Sequence, residues 1–221
     1  MKYKKFFYYF LMFLPLMITA VALLFLPEQI PAHYNFAGEI DRWGSKYESL
    51  IFPFVTIAMG FFMLWMAKIS SKSEDGGTNN EKVVFYTGMG ISLWFTVMHC
   101  YSLYNAFKNT TNLNDVSVDI NQLFCILLGI GLVIIGNFMP KLRKNSVIGL
   151  RTVWSMKNDD VWKKCQRFSG ISLMIGGFFM IVTGIFIKGV SAMFITLGIL
   201  FLCMTLGTVY SYIEAIKTPA D

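Results

Sequence analysis

Six stretches of the chain are long and apolar enough to cross a membrane: Phe6–Leu26, Leu50–Ile69, Val83–Tyr104, Leu123–Met139, Gly170–Ile187 and Ser191–Ile213. A bilayer core of ~30 Å takes about 20 residues of helix at ~1.5 Å of rise each. In 221 residues, six such stretches leave no length for a sizeable soluble domain. Backbone N–H and C=O groups find no water in lipid, so spans must be helices or a closed barrel. The apolar runs are continuous and lack a period-two alternation, which selects helices. The composition agrees, with 55% apolar and only 14% charged residues, against about 25% charged in a soluble domain. The sequence therefore predicts an all-α polytopic membrane protein with six transmembrane helices.

Positive charge orients it. Eight of the 19 Lys and Arg fall in the connection between spans four and five: Lys141, Arg143, Lys144, Arg151, Lys157, Lys163, Lys164 and Arg167. The amino terminus, the connection between spans two and three, and the tail carry the rest of one side. Only Arg42, Lys46, Lys108 and Lys188 lie on the other. Cytoplasmic loops collect Lys and Arg, so both termini are expected in the cytoplasm. The net charge of +6 then reflects loops beside anionic headgroups rather than direct binding of nucleic acid. The first span follows Lys2, Lys4 and Lys5, and Ala20, Val21 and Ala22 have the small-x-small look of a cleavage site. The apolar run continues to Leu26 without a polar break, so the span reads as a retained anchor.

Within this frame the chain divides into a two-span module over 1–69, a flexible cytoplasmic linker over 70–82 rich in Gly, Ser and Asn, and a four-span domain over 83–221. Glycines recur at sevens, Gly129 with Gly136 and Gly170 with Gly177 and Gly184. Seven residues is close to two helical turns, so each set shares one face and invites close helix packing. Cys100, Cys125, Cys165 and Cys203 form no C-x-x-C pair and fit no zinc spacing. Neither a cofactor motif nor a catalytic Ser-His-Asp or Cys-His arrangement is visible. His99 is the one histidine in a span. An ionisable residue there is a functional candidate by default, but beside Tyr101 and Tyr104 it also reads as a neutral, hydrogen-bonded interfacial residue.

Two connections carry more information. The outer one, Ile30–Lys46, mixes polar His33, Asn35, Asp41 and Lys46 with Tyr34, Phe36 and Trp43, and is punctuated by Pro31, Gly38 and Gly44. Those residue types suit binding of a polar ligand or peptide at the outer face. They suit equally a compact loop satisfying itself on the helix ends. His33 with Asp41 suggests half of a metal site, but no third ligand has convincing spacing, so no metal is expected. The cytoplasmic connection begins where Pro140 ends span four. Asn158 and Asp159 are N-cap candidates, and Val161, Cys165 and Phe168 recur at helical spacing opposite Lys163, Lys164 and Arg167. This predicts a short amphipathic helix lying in the membrane interface and running into span five.

The cytoplasmic segment carries a resemblance. Gly136-Asn137, Met139-Pro140-Lys141, Asn145, Gly149-Leu150-Arg151-Thr152, Trp154, Asp160, Trp162 and Arg167-Phe168 resemble the signature of the SdpI family, bacterial immunity proteins against a sporulation-delaying peptide toxin and similar peptides. The family usually has a proline where this chain has Val153. The outer segment is similar to a module of unknown function that often precedes the SdpI domain, with Tyr34 in place of a common phenylalanine. Together the resemblance spans about residues 10–213. It implies a multi-pass protein of the bacterial plasma membrane that protects the cell from an external peptide toxin. In the best-studied family setting, the protein also holds a transcriptional repressor at the membrane.

The leading expectation is thus a non-enzymatic immunity or signalling protein. A peptide toxin is met at the outer face through His33, Asn35, Gly38, Asp41 and Lys46. A cytoplasmic partner, a repressor in the family setting, docks on a loop that includes Asn137, Pro140, Asn145, Gly149, Arg151, Thr152, Trp154, Trp162 and Arg167, beside membrane lipids. Two readings compete. A transporter of small lipophilic or peptide molecules requires polar residues at mid-depth in several spans, and almost none are present. A membrane enzyme using the outer loop requires His33 and Asp41 as acid and base.

Overall fold

The computed structural model of the chain describes residues 2–35, 37–71 and 77–218. Six long helices account for the spans: α1 (Lys2–Ala22), α2 (Ile51–Ser70), α3 (Gly77–Lys108), α4 (Ile120–Phe138), α5 (Asp159–Phe186) and α6 (Gly189–Lys217). Each is long and apolar enough to cross a membrane. At ~1.5 Å per residue, the 32 residues of α3 and 29 of α6 reach about 45 Å, well beyond a ~30 Å hydrocarbon core. The surplus builds both faces of the molecule. Lys4 at the start of α1 meets Tyr86 near the start of α3. Lys157, before α5, donates to the Ala215 and Thr218 carbonyls at the end of α6. Asn80 of α3 reaches the Arg143 carbonyl of the same loop, so the start of α1 and the end of α6 share one face, here the termini face.

The fold is helical as expected, and the opposite face adds one element that the sequence did not announce. Between α1 and α2 the chain forms an antiparallel hairpin, β1 (Gln29–Tyr34) with β2 (Ile40–Ser45). The Asn35 side chain closes its turn, Oδ1 accepting from the N–H groups of Ala37 and Glu39 at 2.9 and 3.0 Å. Gly38 there takes a φ of 83°, a region that favours glycine. Pro31 inside β1 argues against a strand on sequence grounds, and an isolated two-stranded hairpin is marginal in water. Tertiary contacts hold this one. Ile40 N–H donates to the Thr111 carbonyl (3.1 Å) and Leu113 N–H to the Gly38 carbonyl (2.8 Å). At its root Ile30 packs with Ala22, Leu26, Leu103 and Ala106.

The helices pack as two groups of three. In the first, α3 lies chiefly on α2 and α1, through aromatic contacts such as Tyr8 with Phe85 and Phe52 with Phe95. The sequence boundary at 70–82 falls inside this group. Residues 77–82 of that expected linker already belong to α3, and 72–76 lie outside the described residues. In the second group, α4 and α5 approach along the glycine sevens. A Cβ added at Gly170 would sit 2.5 Å from the Gly136 carbonyl oxygen, and one at Gly177 would sit 2.6 Å from that of Gly129. Only glycine permits such an approach, the means by which helices associate in lipid without a hydrophobic driving force.

The stretch expected as an amphipathic helix running into span five is helical, and protein covers its apolar side. Asp159–Phe168 is the opening of α5 itself, with Asn158 as N-cap accepting from Val161 N–H at 3.0 Å. Its apolar stripe is covered by protein. Val161 and Cys165 pack with Ala215, and Trp162 packs with Val83, Met139 and Leu142. The preceding loop folds back over that stripe, so its burial needs no lipid.

Candidate functional site

The loop between α4 and α5 is built from the inside by side chains that close its own turns. Gln166, fully buried on α5, presents its amide to Leu150 as a strand would. Oε1 accepts from Leu150 N–H and Nε2 donates to the Leu150 carbonyl, both at 2.9 Å. Trp162, 1% exposed, donates from Nε1 to the Leu142 carbonyl at 2.8 Å. Asn145 donates to the Arg143 and Ile148 carbonyls and accepts from Val147 and Ile148 N–H. Ser155 Oγ donates to the Leu150 carbonyl and accepts from Thr152 N–H. Gly149 holds a φ of 111°, and a Cβ there would strike the Gln166 amide. Beneath Gly149 and Leu150 lies a small cavity of about 220 Å³.

The same loop grips its neighbours. Thr152 pairs with Ser211 of α6 at 2.8 Å, and next to it Lys164 of α5 pairs with Glu214 of α6 at 3.0 Å. Asn80 of α3 donates to the Arg143 carbonyl at 3.4 Å. What projects is a short ridge: exposed Arg151, Val153 at 89% exposure, and Trp154 with its ring edge against Tyr212 at 5.2 Å.

The hairpin face is organised differently. A cavity of about 510 Å³ opens between the hairpin and the ends of α3, α4 and α6. Apolar side chains such as Phe52, Met98, Ile120 and Met193 line one part, and His33, Asn35, Asp41 and Asn105 another. His33 Nδ1 lies 2.6 Å from Asp41 Oδ1, which leaves Nε2 as the second ring nitrogen of an aligned acid–base pair. Asp119 at the cavity wall caps two helices at once. Its Oδ1 accepts from Asn121 and Gln122 N–H, closing a capping box on α4, and its Oδ2 accepts from Gly189 N–H, the first residue of α6, at 2.7 Å. Tyr34 donates to the Thr110 carbonyl at 2.9 Å, and burial pushes its hydroxyl pKa up to about 12. Arg42 forks onto Glu48, which raises the guanidinium pKa further.

The structure therefore sorts the residues selected from sequence. At the hairpin face, His33, Asn35, Gly38 and Asp41 line one cavity, while Lys46 turns away to Glu28 at 2.8 Å. At the termini face, Asn145, Gly149, Thr152 and Trp162 shape the loop internally. Arg151, Trp154, Arg167, Asn137 and Pro140 are exposed. Trp162 in particular is too buried to touch a partner. Sequence reasoning passed over Gln166, Ser155, Asp119 and Asn105. Gln166 had a signal, as a polar residue one turn after Trp162 on an otherwise apolar stripe. Asp119 had one too, standing three residues before Gln122 as a capping box requires. His99 is 1% exposed and meets Thr19 Oγ1 at 2.6 Å over the Phe52 ring. The same Thr19 hydroxyl oxygen stands 2.8 Å from the Pro15 carbonyl oxygen. Among the described residues, no three His, Cys, Asp or Glu side chains converge as metal ligands would.

Six membrane-length helices, a hairpin at one face and a hydrogen-bonded loop at the other define a multi-pass membrane protein with two structured ends. Comparison with known proteins gives the relationship. Residues 141–211 match the SdpI/YfhL protein family and residues 10–57 match a domain of unknown function (DUF1648). The chain is 25% identical over 198 residues to the immunity protein SdpI of Bacillus subtilis (strain 168), covering 88% of each. The chain is thus similar to SdpI proteins over 141–211 and to that second domain over 10–57, and it is a multi-pass bacterial membrane protein. No solved structure matches it.

Proposed function

We propose that this chain is an immunity and signalling protein of the bacterial plasma membrane. It meets an extracellular antimicrobial peptide at the hairpin-face cavity and reports the encounter to a cytoplasmic protein on the Arg151–Trp154 ridge. In the family setting that protein is a transcriptional repressor. The excess of Lys and Arg in the loops of the termini face supports a cytoplasmic position for that face. The similarity to an immunity protein favours a non-enzymatic role.

The observation that carries the reading is how α6 is held. Its first residue, Gly189, is bonded to Asp119 at the cavity wall. Its last turns are bonded to the loop through Ser211 and Ala215, and to the first turns of α5 through Glu214. One rod of about 43 Å joins the two faces, so a ligand that favours one position of the cavity wall biases the loop as well. The ligand does so only by the difference in its affinity for the two positions.

The test is survival of toxin-sensitive bacteria that express the chain, against a panel of antimicrobial peptides, with Arg151→Ala alongside. The expected result is protection by the wild type and loss of protection by an equally abundant Arg151→Ala protein. Absence of protection against every peptide would overturn the reading.

A further inference from the structure

The hairpin-face cavity has a charge bias opposite to that of the protein. The chain carries +6, yet the described lining holds two carboxylates, Asp41 and Asp119, and no Lys or Arg. The cations nearby have other partners. Arg42 donates to Glu48 at 3.1 and 2.9 Å, Lys46 to Glu28 at 2.8 Å, and Lys188 to the Val116 carbonyl at 3.4 Å. The two carboxylates differ. Asp119 is 2% exposed and accepts three backbone N–H bonds at two helix N-termini, where the helix dipoles offset its charge. Asp41 keeps a side chain 44% exposed beside His33 and is the carboxylate a ligand can reach.

An independent observation points the same way. Asn105, at the cavity wall and 3% exposed, donates from Nδ2 to the Tyr101 carbonyl at 3.0 Å. That bond settles which end of the amide is oxygen, and the covered Oδ1 has no hydrogen-bond partner. A buried acceptor without a donor has lost its water and gained nothing in return, a penalty that an incoming N–H group relieves. The remaining wall, Phe52, Met98, Leu113, Val190 and Met193, suits an alkyl stem or an aromatic ring. About 510 Å³ accommodates a few side chains, within the ~300–1,000 Å³ usual for ligand sites.

We propose that this cavity is a receptor for a peptide segment in which a Lys or Arg side chain stands beside apolar residues. The cationic head pairs with Asp41 and offers an N–H to Asn105 as the side chains of the wall part. The stem and the apolar neighbours lie against Phe52 and Met98. This specificity rests on the reading of the cavity as the peptide-receiving end of the protein.

Isothermal titration of the purified full chain in dodecylmaltoside tests it. The probes are three blocked tripeptides of the form leucyl-X-phenylalanine amide, with X as lysine, norleucine or glutamate. The lysine peptide is expected to bind at least tenfold tighter than the glutamate peptide, with norleucine between them. Asp41→Asn and Asn105→Ala are each expected to shrink the lysine-over-norleucine preference several-fold. Asp41 is surface-exposed, so its variant keeps the fold. Equal affinities, no binding by any probe, or an undiminished preference in both variants would overturn the proposal. A lysine preference in a chain that gives no protection in cells would sink the immunity reading alone. Protection without that preference would sink the cationic specificity alone.

Discussion

The two faces of this protein solve the same problem, a polar connection at the end of a helix bundle, in opposite ways. At the termini face, Gln166, Trp162, Asn145 and Ser155 occupy the loop's backbone groups. The result is a closed structure with only a small cavity beneath it. At the hairpin face, the hairpin leans on the 109–113 segment and leaves a cavity more than twice as large, edged by His33, Asp41 and Asn105. A loop whose polar groups are satisfied from within presents a fixed shape, which suits docking of a protein. A cavity with an unpaired acceptor presents a chemical preference, which suits capture of a ligand. Under the proposed function, display falls to the closed end and recognition to the open one.

That contrast depends first on the frame between the ends. Gly170→Leu drives a side chain into the Gly136 carbonyl, which the glycine approaches to 2.5 Å of an added Cβ. Overpacking costs about 1–3 kcal/mol and here separates α4 from α5. A lower Tm and a lower yield of monodisperse protein in detergent are expected. An unchanged Tm would mean that the α4–α5 approach is soft and that the faces are not rigidly joined.

Gln166→Leu tests the closed end directly. It strips the partners of Leu150 N–H and C=O together, at about 1–3 kcal/mol for each buried group left unpaired. Limited trypsin digestion at Arg143, Lys144, Arg151 and Lys157 is expected to accelerate by at least tenfold, while the hairpin stays protected. Equal resistance of variant and wild type would break the comparison, because the loop would then owe its shape to something other than the Gln166 clamp.

The smallest effect concerns the open end. Burial raises the Tyr34 hydroxyl to about 12, above its unfolded value of about 10. The neutral form is the one that donates to Thr110. Its contribution is therefore complete below about pH 10 and is lost as pH rises through about 12. Proteolytic protection of the hairpin should fall over that window in the wild type, and Tyr34→Phe should remove that part of the pH dependence. A transition unchanged by Tyr34→Phe would show that the hairpin is seated by its backbone contacts to Thr111 and Leu113 alone.

Much of the architecture was readable from residues. Continuous apolar length marks helices because lipid offers no alternative partner for the backbone, and α1 through α6 fall on the six stretches identified. The glycine sevens marked the closest helix pair for the same local reason. The hairpin was hidden because Pro31 argues against a strand and because its stability comes from contacts to residues about 75 positions later, such as Tyr34 with Thr110. The cover of the amphipathic stripe at 161–168 was hidden for a related cause. An amphipathic stripe states that something apolar will cover it, not whether the cover is lipid or, as here, the protein's own loop.

For the site, sequence singled out the motif residues but not their division of labour. Asn145, Gly149, Thr152 and Trp162 stand beside Arg151 and Trp154 in one short stretch, and nothing local separates the residues that build the loop from those that project. Burial against α3, α5 and α6 makes that separation. By itself the sequence determined how many segments are long and apolar enough to cross, which helices approach closely and which loops gather positive charge, since each follows from solvation of individual residues. Only the tertiary structure decided that His33, Asp41 and Asn105 share one cavity and that Gln166 holds the Leu150 turn. Those facts arise where distant segments meet, and hydrogen bonds across such distances leave no period or spacing in the chain.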